Sequence, residues 1–154
     1  MLIKPATQLD AQGMSDAIDE IFAAGLRKSA GDPASVLENY IFHENRIECS
    51  VAQGDDGCIL GFQSLRYALA DNPYGTPEGW GIIGTHVRPS AARQGVGSAL
   101  FRATLAAAKA YPIENIEAAI GADNAMGLAY YEAMGFRTRI SSEALICKVY
   151  RLGD

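Results

Sequence analysis

One segment limits the possible folds of this chain more than any other: Val87-Arg88-Pro89-Ser90-Ala91-Ala92-Arg93-Gln94-Gly95-Val96-Gly97-Ser98-Ala99-Leu100. An apolar strand runs into a proline-bearing loop, and two glycines stand where a long alanine-rich helix opens. The first backbone N–H groups of a helix have no partner within it, and the helix dipole favours negative charge there. Glycine removes the Cβ atoms that would keep an anion off that backbone. Arg88 and Arg93 add positive charge beside it. The pattern predicts a strand–loop–helix unit ending in a phosphate cradle, although a G-x-G alone also serves close packing of a helix on a sheet. It is not a dinucleotide-binding turn. That motif needs a third glycine where Leu100 stands, and a tight turn where seven residues separate Val87 from Gly95.

The rest of the chain supplies partners for this unit. A short strand is expected at Leu2 to Pro5. A helix follows, with Met14, Ala17, Ile18, Ile21 and Phe22 on one face, Asp10 to cap its start and Gly25 to end it. Asp32-Pro33 opens a second helix with the stripe Val36, Leu37, Tyr40 and Ile41. Ile47, Cys49 and Val51 alternate with polar residues, and the turn Gly54-Asp55-Asp56-Gly57 leads into a strand from Ile59 to Tyr67. A Pro/Gly-rich loop, Asp71 to Gly79, precedes the strand Trp80 to Val87. The alanine-rich helix runs to Tyr111 and stops at Pro112. A strand at Ile116 to Ile120, a helix from Asn124 to Met134 and strands near Phe136–Ile140 and Leu145–Leu152 complete the chain. The order is β-α-α-β-β-β-α-β-α-β-β. Hairpins and βα crossovers together imply a mixed sheet with helices on both faces.

Composition narrows the function. The chain has 154 residues, enough for one domain with a sizeable core. Thirteen basic residues against eighteen acidic ones leave a net charge of −5, which disfavours nucleic-acid binding. No apolar run is long enough to span a membrane, and the start lacks the apolar stretch of a signal peptide, so a cytoplasmic protein is expected. Cys49, Cys58 and Cys147 are odd in number and lack C-x-x-C spacing, which argues against disulfides and a zinc site. All three read as buried apolar thiols.

With these residues in view, the sequence resembles the GNAT superfamily of acetyl-CoA-dependent N-acetyltransferases. Val87-Arg88-Pro89 and Gly95-Val96-Gly97 match its V-x-P…G-x-[G/A] signature, with Ala92 where the family usually has Gln or Arg. Asn124-Ala125-Met126-Gly127-Leu128-Ala129-Tyr130-Tyr131-Glu132-Ala133-Met134-Gly135-Phe136 is similar to N-x-x-A-x-x-x-Y-x-x-x-G-F, with Gly127 replacing alanine. The resemblance implies a single α/β domain over residues 1–154, built on a mostly antiparallel sheet of six to seven strands with helices on both faces. It also implies a function, acetyl transfer from acetyl-CoA (coenzyme A) to a primary amine, most simply of a small molecule, by direct attack in a ternary complex without a metal. The amides of Gln94, Gly95, Val96, Gly97 and Ser98 would hold the pyrophosphate, helped by Arg88 and Arg93. The strand near Val87 would bond the pantetheine arm, Asn124 would reach the same arm, and Tyr131 would protonate the leaving thiolate. Adjacent helix residues point about 100° apart, so Tyr130 is assigned to the core.

The general base is less defined. Gly81 to Thr85, where family members carry a Glu or His, contains nothing that titrates. Glu78 at the strand entry ranks first, acting through a water. His86 points to the face opposite Val87 and reads as a packed or surface imidazole. Glu117 and Asp123 rank lower, and a reaction without a base stays open. Tyr67, Tyr74 and Trp80 are candidates for an aromatic wall of the acceptor pocket. The reading is compatible with a homodimer. Its rivals are a CoA-binding module with little catalysis, a peptide or protein N-acetyltransferase, and a dimerisation protein that keeps the fold.

Overall fold

A computed structural model of the chain describes residues 1–153. Strands β1 (Leu2–Pro5), β2 (Arg46–Gln53), β3 (Ile59–Tyr67), β4 (Gly81–Val87), β5 (Asn115–Gly121), β6 (Arg137–Ser141) and β7 (Leu145–Arg151) form one sheet in the order β1-β2-β3-β4-β5-β7-β6. Helices α1 (Ala11–Ala23) and α2 (Pro33–Val36, continued by a π-helical turn over Leu37–Ile41) precede β2. Helix α3 (Val96–Ala110) joins β4 to β5, and α4 (Ala125–Met134) follows β5. Every adjacent pair of strands is antiparallel except β4 and β5. The expected fold class and element order are therefore present, with seven strands.

Alternation along the central strands divides the apolar residues between two layers. On one face, Cys49, Val51 and Phe62 pack with Met14, Ile18, Val36 and Ile41 beneath α1 and α2. On the other, Leu65, Ile83, Ile116, Ala118 and Ile120 pack with Phe101, Tyr131 and Phe136 beneath α3 and α4. Asp32 caps α2, accepting from Ala34 N at 3.3 Å and Ser35 Oγ at 2.7 Å, as its position before Pro33 suggests. Gly25, at φ 76°, ends α1, where Leu26 N donates back to Ile21 O at 3.1 Å.

Three local expectations are corrected. Asp10 stands at the N-cap position of α1 but its side chain makes no cap bond there; the carboxylate accepts from Thr7 N at 2.9 Å and lies 3.4 Å from Lys4 Nζ, fixing the 3-10 turn (Gln8–Asp10) ahead of the helix. Phe22 is 43% exposed, since it sits at the edge of the stripe that buries Met14, Ile18 and Ile21. Cys49 and Cys147 are buried free thiols, but Cys58 is exposed at the hairpin turn. Burial pushes the Cys49 thiol up to about 12. Among the described residues no helix is long and apolar enough to cross a membrane.

The parallel ladder between β4 and β5 has only two pairs, Gly81 with Ile116 and Ile82 with Glu117. Where it ends, the buried Glu117 carboxylate accepts from Thr76 Oγ1 at 2.8 Å and from Arg139 Nη2 at 2.9 Å, and Arg139 Nε also donates to it. One carboxylate thus ties β5 to β6 and to the loop before β4. Replacing it leaves Arg139 and Thr76 without their partner. Glu117→Ala is expected to lower stability by about 3 kcal/mol, the lower end for a broken buried pair because Arg139 is partly exposed. Urea unfolding measures this, and a loss below about 0.5 kcal/mol would show that the clamp is not structural.

Candidate active site

Past Glu117 the two parallel strands diverge. Ile83 to Val87 of β4 on one side and Ala119, Ile120 and Gly121 of β5 on the other line a cleft of about 570 Å³. The edge of β4 that faces β5 is unpaired from Ile83 onward. Such an edge can take an extended ligand as an added strand.

The start of α3 closes one end of this cleft. Arg93 at φ 64° and Gly95 at φ 79° both turn the chain left-handed before the helix begins. The first helical bond runs from Ala99 N to Gly95 O at 3.0 Å, so the amides ahead of it lack helix partners. A Cβ on Gly95 would meet no atom within 4 Å, so the space before these amides is open. Open space, N–H groups without helix partners and a helix N-terminus suit a phosphate. Gly97 has a different cause. A Cβ there would lie 2.6 Å from Tyr130 Cε1, and Tyr130 OH donates to Gly97 O at 2.8 Å. Glycine at this position lets the Tyr130 ring rest on the first turn of α3.

The expected phosphate-side residues divide into groups. Val87, Arg88, Arg93, Gly97 and Asn124 line the cleft. Gln94, Gly95 and Ser98 are exposed at its rim. The Val96 side chain is buried with Ala52, Ala91 and Leu100, leaving only its backbone to act. The Arg88 guanidinium is turned back toward α1, with Nε donating to Ile59 O at 2.6 Å and Nη1 3.4 Å from Glu20. Hydrogen bonds from Ser90 foremost, then Arg88, hold the Glu20 carboxyl below the usual carboxylate range. Of the two expected arginines, then, only Arg93 is free of an ion pair among the described residues. Asn124 caps α4, its Oδ1 accepting from Gly127 N at 3.0 Å. A Cβ at Gly127 would approach Asn124 Nδ2 to 2.6 Å, which accounts for glycine where the resembling motif has alanine.

Tyr131 reaches the cleft from α4 at the end of a chain of polar groups. Thr104 Oγ1 donates to Gln63 Oε1, which fixes the amide so that Gln63 Nε2 donates to Thr85 Oγ1 and to Tyr130 OH, each at 2.9 Å. Tyr130 spends its own hydrogen on Gly97 O. The Thr85 hydroxyl accepts from Gln63 and shares a further hydrogen bond with Tyr131 OH, 2.8 Å away, in which either hydroxyl can donate. Burial pushes this phenol above its ordinary value, so it stays protonated at neutral pH.

The residues proposed as bases do not gather here. Glu78 is exposed and does not line the cleft, because the chain reverses at Gly79 (φ 90°) before β4 starts. Glu117 is spent on Arg139 and Thr76, and Asp123 is exposed outside the cleft. His86 does line it, from the α1–α2 face. It stacks on Phe62 at 4.5 Å between ring centroids and touches Tyr40 edge-on. Of the aromatic wall, only Tyr74 lines this cleft; Tyr67 lines the neighbouring pocket, and Arg139 covers Trp80. Thr85, Gln63, Ser64, Arg27 and Arg66 were not anticipated, although period-two alternation in β3 and β4 groups Gln63 with Thr85 and Ser64 with His86.

Comparisons with known proteins agree with this geometry. A family model described as the acetyltransferase (GNAT) family matches residues 15–136. No curated protein sequence matches the chain. Among solved structures, the chain is similar to a GNAT superfamily phosphinothricin acetyltransferase from Sinorhizobium meliloti in complex with acetyl-CoA, with TM-score 0.80 and 16% identity over 99% of this chain and 88% of that one. It is also similar to a GCN5-related N-acetyltransferase from Kribbella flavida, with TM-score 0.78 and 20% identity over 98% and 97% of the two chains. A third is a ribosomal-protein-alanine N-acetyltransferase from Brucella melitensis, with TM-score 0.78 and 19% identity over 99% and 100%.

The contact at Gly97 can be tested directly. Gly97→Ala must push the Tyr130 ring off α3 and break its bond to Gly97 O, and a stability loss of about 1–3 kcal/mol is expected from overpacking. Gly97→Ala in a Tyr130→Leu background should cost much less, because the ring is absent. Equal losses in both backgrounds would show that the glycine does not serve this contact.

Proposed function

Because the chain belongs to the GNAT acetyltransferase family, we propose that it transfers the acetyl group of acetyl-CoA to a primary amine of a small molecule, by direct attack in a ternary complex. The observation that carries this reading is the split between β4 and β5, with an unpaired strand edge on one wall and the open amides of α3 at its end. Acetyl-CoA supplies an activated acyl group as a thioester. The amides of Gln94, Gly95, Val96, Gly97 and Ser98 hold its pyrophosphate, with Arg93 beside them and Arg88 contributing less because Glu20 shares its charge. The free edge of β4 near Val87 bonds the pantetheine arm, and one of its N–H groups faces the carbonyl oxygen where charge develops. The Asn124 NH₂ group is left for the same arm. Tyr131 holds its hydrogen ready for the departing sulfur.

The acceptor must arrive as a neutral amine, since an alkylamine with a pKa of about 10.4 is almost wholly protonated at pH 7. Among the described residues no Asp or Glu lines the cleft. His86 is the imidazole there, and burial first, then the charges of Arg27 and Arg66, lower it to about 3. Such a weak base cannot hold the amine's proton near neutrality. The amine therefore loses its proton to water, and kcat/KM rises with pH toward the acceptor's own pKa. An inflection near about pH 6.5 that His86→Gln removes would instead identify His86 as the base.

Calorimetric titration with acetyl-CoA, with NADH as control, and thiol release over an amine panel test the reading together. Binding of acetyl-CoA alone, with turnover, supports it; binding without turnover would fit a CoA-binding module. Tyr131→Phe is expected to lower kcat by about 10²-fold or more while acetyl-CoA affinity changes little. Gly95→Glu is expected to abolish acetyl-CoA binding by putting a carboxylate before the phosphates. Unchanged binding in that variant would mean that the cradle lies elsewhere.

A further inference from the structure

The contacts proposed for acetyl-CoA leave unused the half of the cleft on the α1–α2 face. Cross-strand pairing sets Ser64 beside Gly84, Phe62 beside His86 and Arg66 beside Ile82. These side chains lie on the face opposite Thr85 and Val87. Arg27, just past the end of α1, lines the same space.

Charge there is one-sided. Among the described residues four arginines line the cleft, Arg27, Arg66, Arg88 and Arg93, and no Asp or Glu does. Arg88 is paired with Glu20, and Arg93 stands at the α3 turn where phosphates are expected. Arg27 and Arg66 make no ion pair among the described residues, although the chain carries five more acidic than basic groups. Both are near enough to His86 to lower its basicity. In the same place Ser64 Oγ and His86 Nδ1 are shielded from water and have no hydrogen-bond partner. Ser64 is only 2% exposed. Buried polar atoms are rarely left unpaired in a folded protein, and two half-buried guanidinium groups without a carboxylate partner beside them leave their donors to solvent or to an anionic ligand. The two kinds of deficit coincide in one half of one cleft.

We propose that this half of the cleft selects an acceptor carrying a carboxylate beside its amine, of the amino-acid class, with Arg27 and Arg66 binding the carboxylate. Ser64 Oγ, one β3 position from Arg66 on the same face, accepts a hydrogen bond from the acceptor's donors. Guanidinium forks match a carboxylate in a charge-assisted geometry that neither an amide nor a simple amine can supply. Polycationic amines are repelled. This choice of acceptor rests on the acetyl-transfer reading, whereas the anion site itself does not.

The test titrates the protein, saturated with non-reactive coenzyme A, with each of the common amino acids, their α-amides and spermidine. At least one amino acid is expected to bind about tenfold or more tightly than its α-amide, and spermidine not to compete. In Arg27→Gln and Arg66→Gln that preference should fall several-fold while acetyl-CoA affinity stays within about twofold. Equal binding of acid and amide, binding of spermidine in preference, or no binding by any member overturns the proposal. A large loss of acetyl-CoA affinity in both variants also overturns it, because the two arginines would then be phosphate ligands. Thiol release is read separately. A carboxylate preference in binding with no acetylation of any amine would sink the acetyl-transfer reading and leave the anion site standing.

Discussion

Everything in the candidate site depends on β4 and β5 ceasing to pair after two residues. A parallel ladder satisfies backbone groups evenly, and parting it early leaves several N–H and C=O groups of β4 without partners, a cost that proteins rarely accept in their interior. The divergence is held by a carboxylate. Glu117 stands at the last paired position and draws Arg139 from β6 and Thr76 from the preceding loop onto itself. β5 also turns its other edge to β7 over seven residue pairs, from Asn115 with Arg151 to Gly121 with Leu145. With β5 anchored on that side, the open edge of β4 persists, and a ligand that can bond as a strand completes the sheet.

A second constraint runs through Gln63. Its side chain is buried and uses its amide in three hydrogen bonds, to Thr104 on α3, Thr85 on β4 and Tyr130 on α4. Thr104 fixes the Gln63 amide and the amide fixes Thr85 and Tyr130, so the surroundings of the Tyr131 hydroxyl are set several groups away. Fully satisfied polar networks of this kind rigidify their surroundings because every alternative arrangement leaves a buried group unpaired. Here the rigid element is the meeting of two helices with the strand whose edge is open. The phenol is held in place before any ligand enters.

The parts of this architecture that depend on local spacing are legible in the sequence. The hairpin at Gly54–Gly57, the Asp32-Pro33 helix start and the glycine turn into α3 each follow from residues a few positions apart. What depends on register or on distant packing is not. Gly97 reads as a phosphate-approach glycine, but its tightest neighbour is Tyr130, thirty-three residues later. Glu78 is adjacent to β4 in sequence, yet the turn at Gly79 carries it outward. His86 faces away from Val87, as alternation requires, and is packed on Phe62 and Tyr40; it lines the cleft as well because the split exposes both faces of β4. Arg27, Arg66 and Ser64 come from a helix end and an interior strand, and no spacing rule brings them together.

Net charge is a poor guide to what such a cleft will hold. The chain is acidic overall, which in isolation suggests a cationic partner, but the acidic side chains among the described residues stand outside the cleft. Those closest in function, Glu20 and Glu117, are spent on Arg88 and Arg139. The arginines left without partners stand on both sides of β4, Arg93 at the α3 turn and Arg27 with Arg66 on the opposite face. Guanidinium groups that line a cleft without an ion pair are suited to an anionic ligand, and the proposed reading places one at each end. On this argument the same strand separates two anion-binding regions. In that reading phosphates are favoured at the open amides of the α3 start, and a carboxylate is favoured beside Arg27 and Arg66.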